Sequence, residues 1–304
     1  MSIVLVTGAS GFVGSHVVPE LIGAGHRVIG LVRTPDAGAQ VARRLDQPMR
    51  AGVETRLGDV TDPASLRAAL DGVDAVVHLV GLPRDLTGGR DLNRVNTEGT
   101  RNVLAVMAET GVRRLVHLGA LGVADDPTLH YASSKARAEA LVAASDRDWT
   151  ILKPSLLWGE RDGFFNIVAD LVRWSPGIVP VPGNGRSRFQ PLAVRDLARG
   201  LRMSLEDEAH VGRQHELGGP RYWTYREITA EVCRAMVRRR AIVPMPISLI
   251  RLVAGTSEVL HLPFPVATDQ LRQLKLDNIG PLGSFGSAFG FEPQDMAGNL
   301  GYLR

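Results

Sequence analysis

Tyr131 and Lys135 are the two residues of this chain whose types and spacing point most directly to chemistry. Residues four apart share one face of a helix, so a phenol and an ammonium can reach the same bound molecule. A cation beside a tyrosine favours phenolate and brings its pKa toward a range useful for proton transfer. Composition alone does not explain the pair. Four tyrosines and three lysines scattered over 304 positions give only about 0.04 such pairs.

A second constellation lies at the start of the chain, Thr7-Gly8-Ala9-Ser10-Gly11-Phe12-Val13-Gly14. It follows the apolar run Ile3–Thr7 at once and opens a helix-like run that Gly25 ends. Strand, glycine turn and helix is the setting in which spaced glycines bind a dinucleotide. Gly8 allows the tight turn, Gly11 lets backbone approach a pyrophosphate, and Gly14 removes a side chain where helix packs on strand. Phosphate then meets free N–H groups and the positive end of the helix dipole.

These groups need a scaffold, and up to about residue 155 the chain supplies a regular one. Strand-like runs fall at Ile3–Thr7, Arg27–Val32, Glu54–Leu57, Ala75–Leu79, Arg114–Leu118 and Trp149–Leu152. Helical periodicity fills the gaps near 12–24, 37–46, 63–70, 91–110 and 130–145, with Asp62-Pro63 as an N-cap and first-turn proline. Alternation of this kind predicts an α/β fold of the Rossmann type, a doubly wound parallel sheet with helices on both faces. Ligands bind outside the carboxyl ends of such strands. Beyond Pro154 the pattern loosens. Helices are expected at 163–174, 195–205, 224–238, 246–257 and 266–277, and strands at 178–181, 189–194 and 213–217. Residues 1–155 read as a dinucleotide-binding domain. Residues 156–304 read as a smaller irregular lobe over cofactor and substrate, with at least one strand returning to the main sheet.

The strand ends can then be inspected in turn. An acid at the end of the second strand would hold a ribose 2′-hydroxyl; here Val32-Arg33 stands instead, which suits a 2′-phosphate and predicts NADP(H). Asp59 after the third strand can act as an acceptor or as a turn residue. His78 reads as a packing histidine, and Gly81 would admit a cofactor to the backbone. Leu156, Leu157, Trp158, Phe164 and Phe165 suit an apolar pocket wall or a lobe core. Arg84, Arg90 and Arg94 suit an anionic substrate or a solvated loop.

Bulk properties narrow the classes. A net charge of +3 with no long basic run argues against nucleic acid. A single cysteine, Cys233, excludes an internal disulfide and a cysteine metal cluster and fits a reducing compartment. No apolar run reaches the roughly 18 residues of a membrane span. The expectation is a cytoplasmic protein with no metal, although the apolar segment 245–262 could lie on a membrane surface or a partner.

Thr7-Gly8-x-x-Gly11-x-x-Gly14 together with Tyr131-x-x-x-Lys135 resembles the short-chain dehydrogenase/reductase superfamily in its extended and atypical branches. Arg188–Ala198, His215–Pro220 and Gln273–Asn278 are similar to one atypical group. That group includes bacterial relatives of the NADPH-binding accessory subunit of respiratory complex I, in which the nucleotide is structural. The resemblance implies that Gly8, Ser10, Gly11, Phe12, Val13, Gly14, Arg33, Asp59, Val60, Leu79, Val80 and Gly81 touch NADP(H), with Asp59 on the adenine amino group and Val60 on its ring. It implies Tyr131 as general acid/base, Lys135 as partner of ribose and phenolate, and Asn96 as holder of a water or helix bend. It also implies that Pro154-Ser155 lines the nicotinamide, with Lys153 where arginine is usual. One departure stands out. Family members with full activity carry Ser or Thr after the fifth strand, and this chain reads His117-Leu118-Gly119-Ala120. Thr128 or loop N–H groups are the remaining donors for a substrate carbonyl. The first expectation is an NADPH-dependent oxidoreductase acting on a carbonyl or quinone-like, apolar small molecule. The second is an NADPH-binding structural or regulatory protein, and a sugar-nucleotide epimerase or dehydratase is the weakest.

Overall fold

The computed structural model describes all residues except 84–86, 176, 247 and 249–276. The expected helices 246–257 and 266–277 fall almost wholly outside the described residues. The chain divides into two units, residues 1–153 with 194–215, and residues 154–193 with 216–304.

In the first unit the strands are β1 (Ile3–Thr7), β2 (Arg27–Val32), β3 (Val53–Leu57), β4 (Ala75–His78), β5 (Arg114–Leu118) and β6 (Asp148–Pro154). They run parallel in the order 6-5-4-1-2-3, and β11 (Arg213–Leu217) adds a seventh strand beyond β6. The inner strands β1, β2 and β4 are apolar on both faces because helices cover both, whereas the outer β3 and β11 carry polar residues. Leu5, Ile29, Val76 and Leu115, all at most 1 % exposed, share a core with Leu66, Val103, Val106 and Met107. The strand order reverses between β1 and β4, the place where ligands enter such sheets.

The helices of this unit are α1 (Gly14–Gly23), α2 (Pro35–Arg43), α3 (Pro63–Leu70), the short α4 (Arg90–Leu92), α5 (Gly99–Thr110), α6 (His130–Ala143) and α8 (Val194–Glu206). Thr34 caps α2 by accepting from Ala37 N–H, and Asp62 caps α3 by accepting from Ala64 N–H ahead of Pro63. The single helix expected over 91–110 is instead α4, then a π-helical stretch Asn93–Glu98, then α5. The chain leaves the first unit after Lys153, beside the expected 155, and it returns there with a helix as well as the expected strand. Helix α8 belongs to the first unit, where Arg202 reaches Glu20 at 2.9 Å and His26 lies 3.0 Å from Glu206.

In the second unit, α7 (Phe165–Trp174) and α9 (Tyr225–Ala235) pack with β8 (Ile178–Pro182) and its parallel partner β13 (Ala241–Met245). A Thr224–Glu227 capping box starts α9. The strand expected over 189–194 is divided. β9 (Arg188–Phe189) pairs with β12 (Trp223–Thr224), and β10 (Leu192–Ala193) pairs with β7 (Leu157–Trp158). Pro191 between them has no N–H for a ladder, and Gln190 bonds Gly219 through both backbone and side chain. Trp158 and Phe165 are core residues here, with Leu156 and Phe164 packed on them. Of the two readings of that apolar cluster, pocket wall or lobe core, its residues lie largely in the lobe core.

Candidate cofactor and reaction site

Gly8 turns the chain after β1 at φ +73°, in the left-handed region that glycine occupies without strain. A Cβ there would sit 3.3 Å from Leu79 C and Val80 N, so the loops after β1 and β4 meet backbone to backbone. Gly11 N–H donates to Gly8 O, and a Cβ on Gly14 would fall 2.3 Å from that same oxygen. The turn is therefore a cradle that only glycine allows. Helix α1 begins from it with no side-chain cap and no acid in its first turn. An uncapped helix start without negative charge is what a pyrophosphate requires. Arg44 adds a tether, its Nη1 donating to Ser10 O at 2.6 Å. The residues present fit a dinucleotide, with Gly8, Ser10, Gly11, Phe12, Val13 and Gly14 forming the cradle.

Arg33 is exposed at the end of β2. Asp59 accepts from both Thr61 N–H and Thr61 Oγ1 through Oδ1, the Asx turn that its position allowed. Val60 is 4 % exposed and packs over Gly99 in the core. Val60 therefore has a packing role under α5 beside the adenine contact expected of it. Leu79 and Val80 donate their N–H groups to Thr7 Oγ1 at 3.2 and 3.4 Å.

His78 lies buried between Thr7 Oγ1 at 2.7 Å and Thr100 Oγ1 at 3.1 Å. Burial and then the nearby Lys135 charge hold its pKa at about 3, so it stays neutral. His117 stacks on it at 5.3 Å, with its own pKa pushed well below the usual value by burial first, then by Lys135 and His78.

Asn96, in the π-helical stretch, is 1 % exposed. Its Oδ1 accepts from Leu82 N–H at 2.7 Å, and its Nδ2 donates to Leu82 O and Ser134 Oγ. Both amide hydrogens are thus engaged by protein. Asn96 is a clamp from the loop after β4 to α6, placed in a π-helical bend of the kind that was one of the two roles expected of it. The π-helical turn is where such clamps and sites recur.

Tyr131 opens α6 half-buried, its hydroxyl without a hydrogen-bond partner among the described residues. Burial, and secondarily the Glu139 carboxylate, push its pKa up to about 12. This reverses the expected lowering. The physical reason is burial first, with the cation turned to the loop after β5. Lys135, 5 % exposed, donates to Leu118 O at 2.5 Å, and burial brings its pKa down to about 8 against the opposing pull of Glu139. Gly81 lies beside it, a Cβ there standing 3.7 Å from Nζ.

Glu139 is the group that motif reading missed. It lies one further turn along the face carrying Tyr131 and Lys135, a four-residue step that could have signalled it. Its Oε1 accepts from Ala120 N–H at 2.9 Å, and its Oε2 lies 3.5 Å from Lys153 Nζ. Thr128, the alternative donor, bonds Asp126 in an exposed turn instead. Arg90 and Arg94 engage Thr87 O and Asp91, and Arg84 lies outside the described residues.

Pro154 and Ser155 open the second unit. The Ser155 hydroxyl donates to Asn278 at 2.7 Å and accepts from Gln190 N–H at 3.1 Å. It ties the 278 segment to β6, a structural role beside the cofactor contact expected of it.

Residues 8–171 match the family described as NAD(P)H-binding. The chain is 27 % identical over 288 residues to the mitochondrial NADH dehydrogenase [ubiquinone] 1 alpha subcomplex subunit 9 of Arabidopsis thaliana, covering 91 % of this chain and 68 % of that protein. It is 29 % identical over 287 residues to a (4-alkanoyl-5-oxo-2,5-dihydrofuran-3-yl)methyl phosphate reductase of Streptomyces griseus, covering 92 % and 89 %. Among solved structures, a dTDP-glucose 4,6-dehydratase from Streptomyces venezuelae with NAD bound superposes at a TM-score of 0.75, with 22 % identity over 99 % of this chain and 96 % of that one. That likeness is one of fold.

Proposed function

Because this chain belongs to the NAD(P)H-binding family, as an atypical short-chain dehydrogenase/reductase similar to the respiratory complex I accessory subunit, we propose that it is an NADP(H)-dependent oxidoreductase acting on an apolar carbonyl or quinone-like small molecule. The observation that carries this reading is the Tyr131 hydroxyl. It holds its proton at neutral pH, has no hydrogen-bond partner among the described residues, and stands one turn from a buried lysine. A phenol in that state donates a proton to an oxygen that gains charge, so the reductive direction suits it. NADPH would supply the hydride. The cradle Gly8–Gly14 would hold its pyrophosphate, Arg33 its 2′-phosphate, and Lys135 its ribose. Asn96 would keep α6 and the loop after β4 in register around them. Association with a membrane surface or a partner, as a peripheral protein of a reducing compartment, fits the relatives; among the described residues no helix is long and apolar enough to cross a membrane.

A second reading is favoured by Gly119. Without a hydroxyl after β5, loss of one carbonyl donor costs roughly 2.7–4 kcal/mol of transition-state stabilisation. NADPH would then hold the fold, and the surface would serve a partner. The two readings separate in one experiment, NADPH oxidation and NADPH fluorescence on wild type and Tyr131→Phe across quinones and apolar aldehydes and ketones. The oxidoreductase reading expects turnover that falls about 100-fold or more in the variant, with NADPH affinity retained. Tight NADPH binding with no oxidation by any acceptor would shift the assignment to the structural role.

A further inference from the structure

The loop after β5 holds a glycine that its own backbone does not require. Gly119 is not among the glycines with positive φ. What excludes a side chain there is Glu139. A Cβ on Gly119 would lie 2.5 Å from Glu139 Oε1, 3.0 Å from its Cδ and 3.1 Å from Lys153 Cγ. The carboxylate therefore stands in the space where the resemblance leads one to expect a serine or threonine side chain. It is 7 % exposed, and Lys153 is the cation beside it. The loop is gripped on both sides of the glycine, Leu118 O by Lys135 and Ala120 N–H by Glu139.

We propose that Glu139 is a positioning residue of this site: its carboxylate takes the place of a side chain at 119, pairs with Lys153, and acts by its charge on Lys135, which lies one turn away on the same face of α6 and grips the same loop. The proposal rests on NADP(H) binding alone and not on turnover. The groups with electrostatic reach to Lys135 can be named from every side. Glu139 and Tyr131 share its helix α6, His78 faces it from β4 and His117 from β5, and Lys153 stands behind Glu139 on β6. Both histidines are neutral through burial, and the phenol of Tyr131 is protonated below about 12. Burial raises the pKa of Glu139 while Ala120 N–H and the two lysines pull it down, and among the described residues it is the negative charge that opposes loss of the Lys135 proton.

The sign follows. Burial lowers the pKa of Lys135 to about 8, and Glu139 raises it. The ammonium is present below that value and lost above it, so NADPH affinity should begin to fall as pH rises past about 8. Removing the carboxylate charge moves that break to lower pH.

The test is NADPH fluorescence titration between about pH 6.5 and 9.5 on wild type, Glu139→Gln and Lys135→Met. Glutamine keeps an acceptor for Ala120 N–H while removing the charge. The wild-type break is expected near pH 8, to move down by roughly 0.5–1 unit in Glu139→Gln, and to vanish in Lys135→Met. At a pH of about 8.5 the glutamine variant should have lost roughly three- to tenfold more of its low-pH affinity than wild type. An affinity lowered by one factor at every pH, with the break unmoved, describes a merely structural Glu139 and overturns the proposal. So does a flat wild-type profile, or a break that survives in Lys135→Met. Absence of NADPH binding in wild type overturns it together with the cofactor assignment, whereas binding with an unmoved break overturns it alone. Should Glu139→Gln not fold, Gly119→Ala carries the test, because its Cβ must shift the carboxylate and a charge that acts on Lys135 must then move the break, whereas an unmoved break overturns the proposal.

Discussion

Arg33 lies where a 2′-phosphate would first meet this protein. It is exposed at the end of β2, while the next residue, Thr34, is occupied in capping α2. A charge-assisted hydrogen bond to one guanidinium contributes about 1.5–3 kcal/mol, so Arg33→Ala should weaken NADPH by roughly 10- to 100-fold. NADH, which has no 2′-phosphate, should bind the variant as it binds wild type. Fluorescence titration with both nucleotides decides the matter: an equal loss for the two would show that Arg33 supports the fold or the pyrophosphate instead. At this scale the sequence was legible where chemistry is local. Tyr131 and Lys135 announce themselves by spacing, and the glycines by their order after a strand. Glu139 did not, because its meaning lies in Ala120 and Lys153, 19 residues before it and 14 after it. For the same reason the ionisation of Tyr131 was misread. A motif records which cation is near, and not that the phenol is buried beside a carboxylate while the cation is turned to Leu118 O.

Elements were readable to the extent that their causes are periodic. Strands β1, β2 and β4 show as apolar runs, and α3 shows by its Asp62-Pro63 start. The π-helical stretch Asn93–Glu98 does not, since hydrophobic spacing over 91–110 reads as one helix. Its cause is tertiary: Asn96 bonds Leu82 twice and Ser134 once, and the wider turn directs that amide to both. Asn96→Ala would leave the N–H and C=O of Leu82 without their side-chain partner. The expected cost is about 2–3 kcal/mol, or roughly 4–10 °C in Tm. Thermal unfolding followed by circular dichroism measures it. A Tm within about 1 °C of wild type would mean that water replaces the amide and that the stretch is not held by Asn96.

At the scale of the whole molecule, continuity in sequence is not continuity in space: the strand expected to return to the main sheet is β11, and helix α8 comes back with it. Regular alternation stops near residue 155, which suggests a domain ending there. The first unit instead recovers residues 194–215 after an excursion of 40 residues, 154–193. Helix α8 returns to lie with α1, joined through Arg202 to Glu20, and β11 covers the edge of β6. Val194, Leu197, Ala198, Leu201 and Leu205 of α8 are all at most 9 % exposed. At about 1.5–3 kcal/mol for each large side chain, the α8 face contributes on the order of 6–12 kcal/mol, as much as a whole domain usually has in reserve. Ending the chain at 155 removes that face and leaves β6 as an open edge, which invites pairing with other copies. A fragment of residues 1–155 should therefore show no cooperative melting, elute as aggregate in size-exclusion chromatography, and fail to enhance NADPH fluorescence, although it contains the complete glycine cradle, Tyr131, Lys135 and Glu139. A monomeric fragment that melts cooperatively and binds NADPH within about threefold of the full chain would show that α8 and β11 are additions to a self-sufficient fold. The expected failure would instead make the returning segment as much a part of the cofactor site as the glycines that first suggested it.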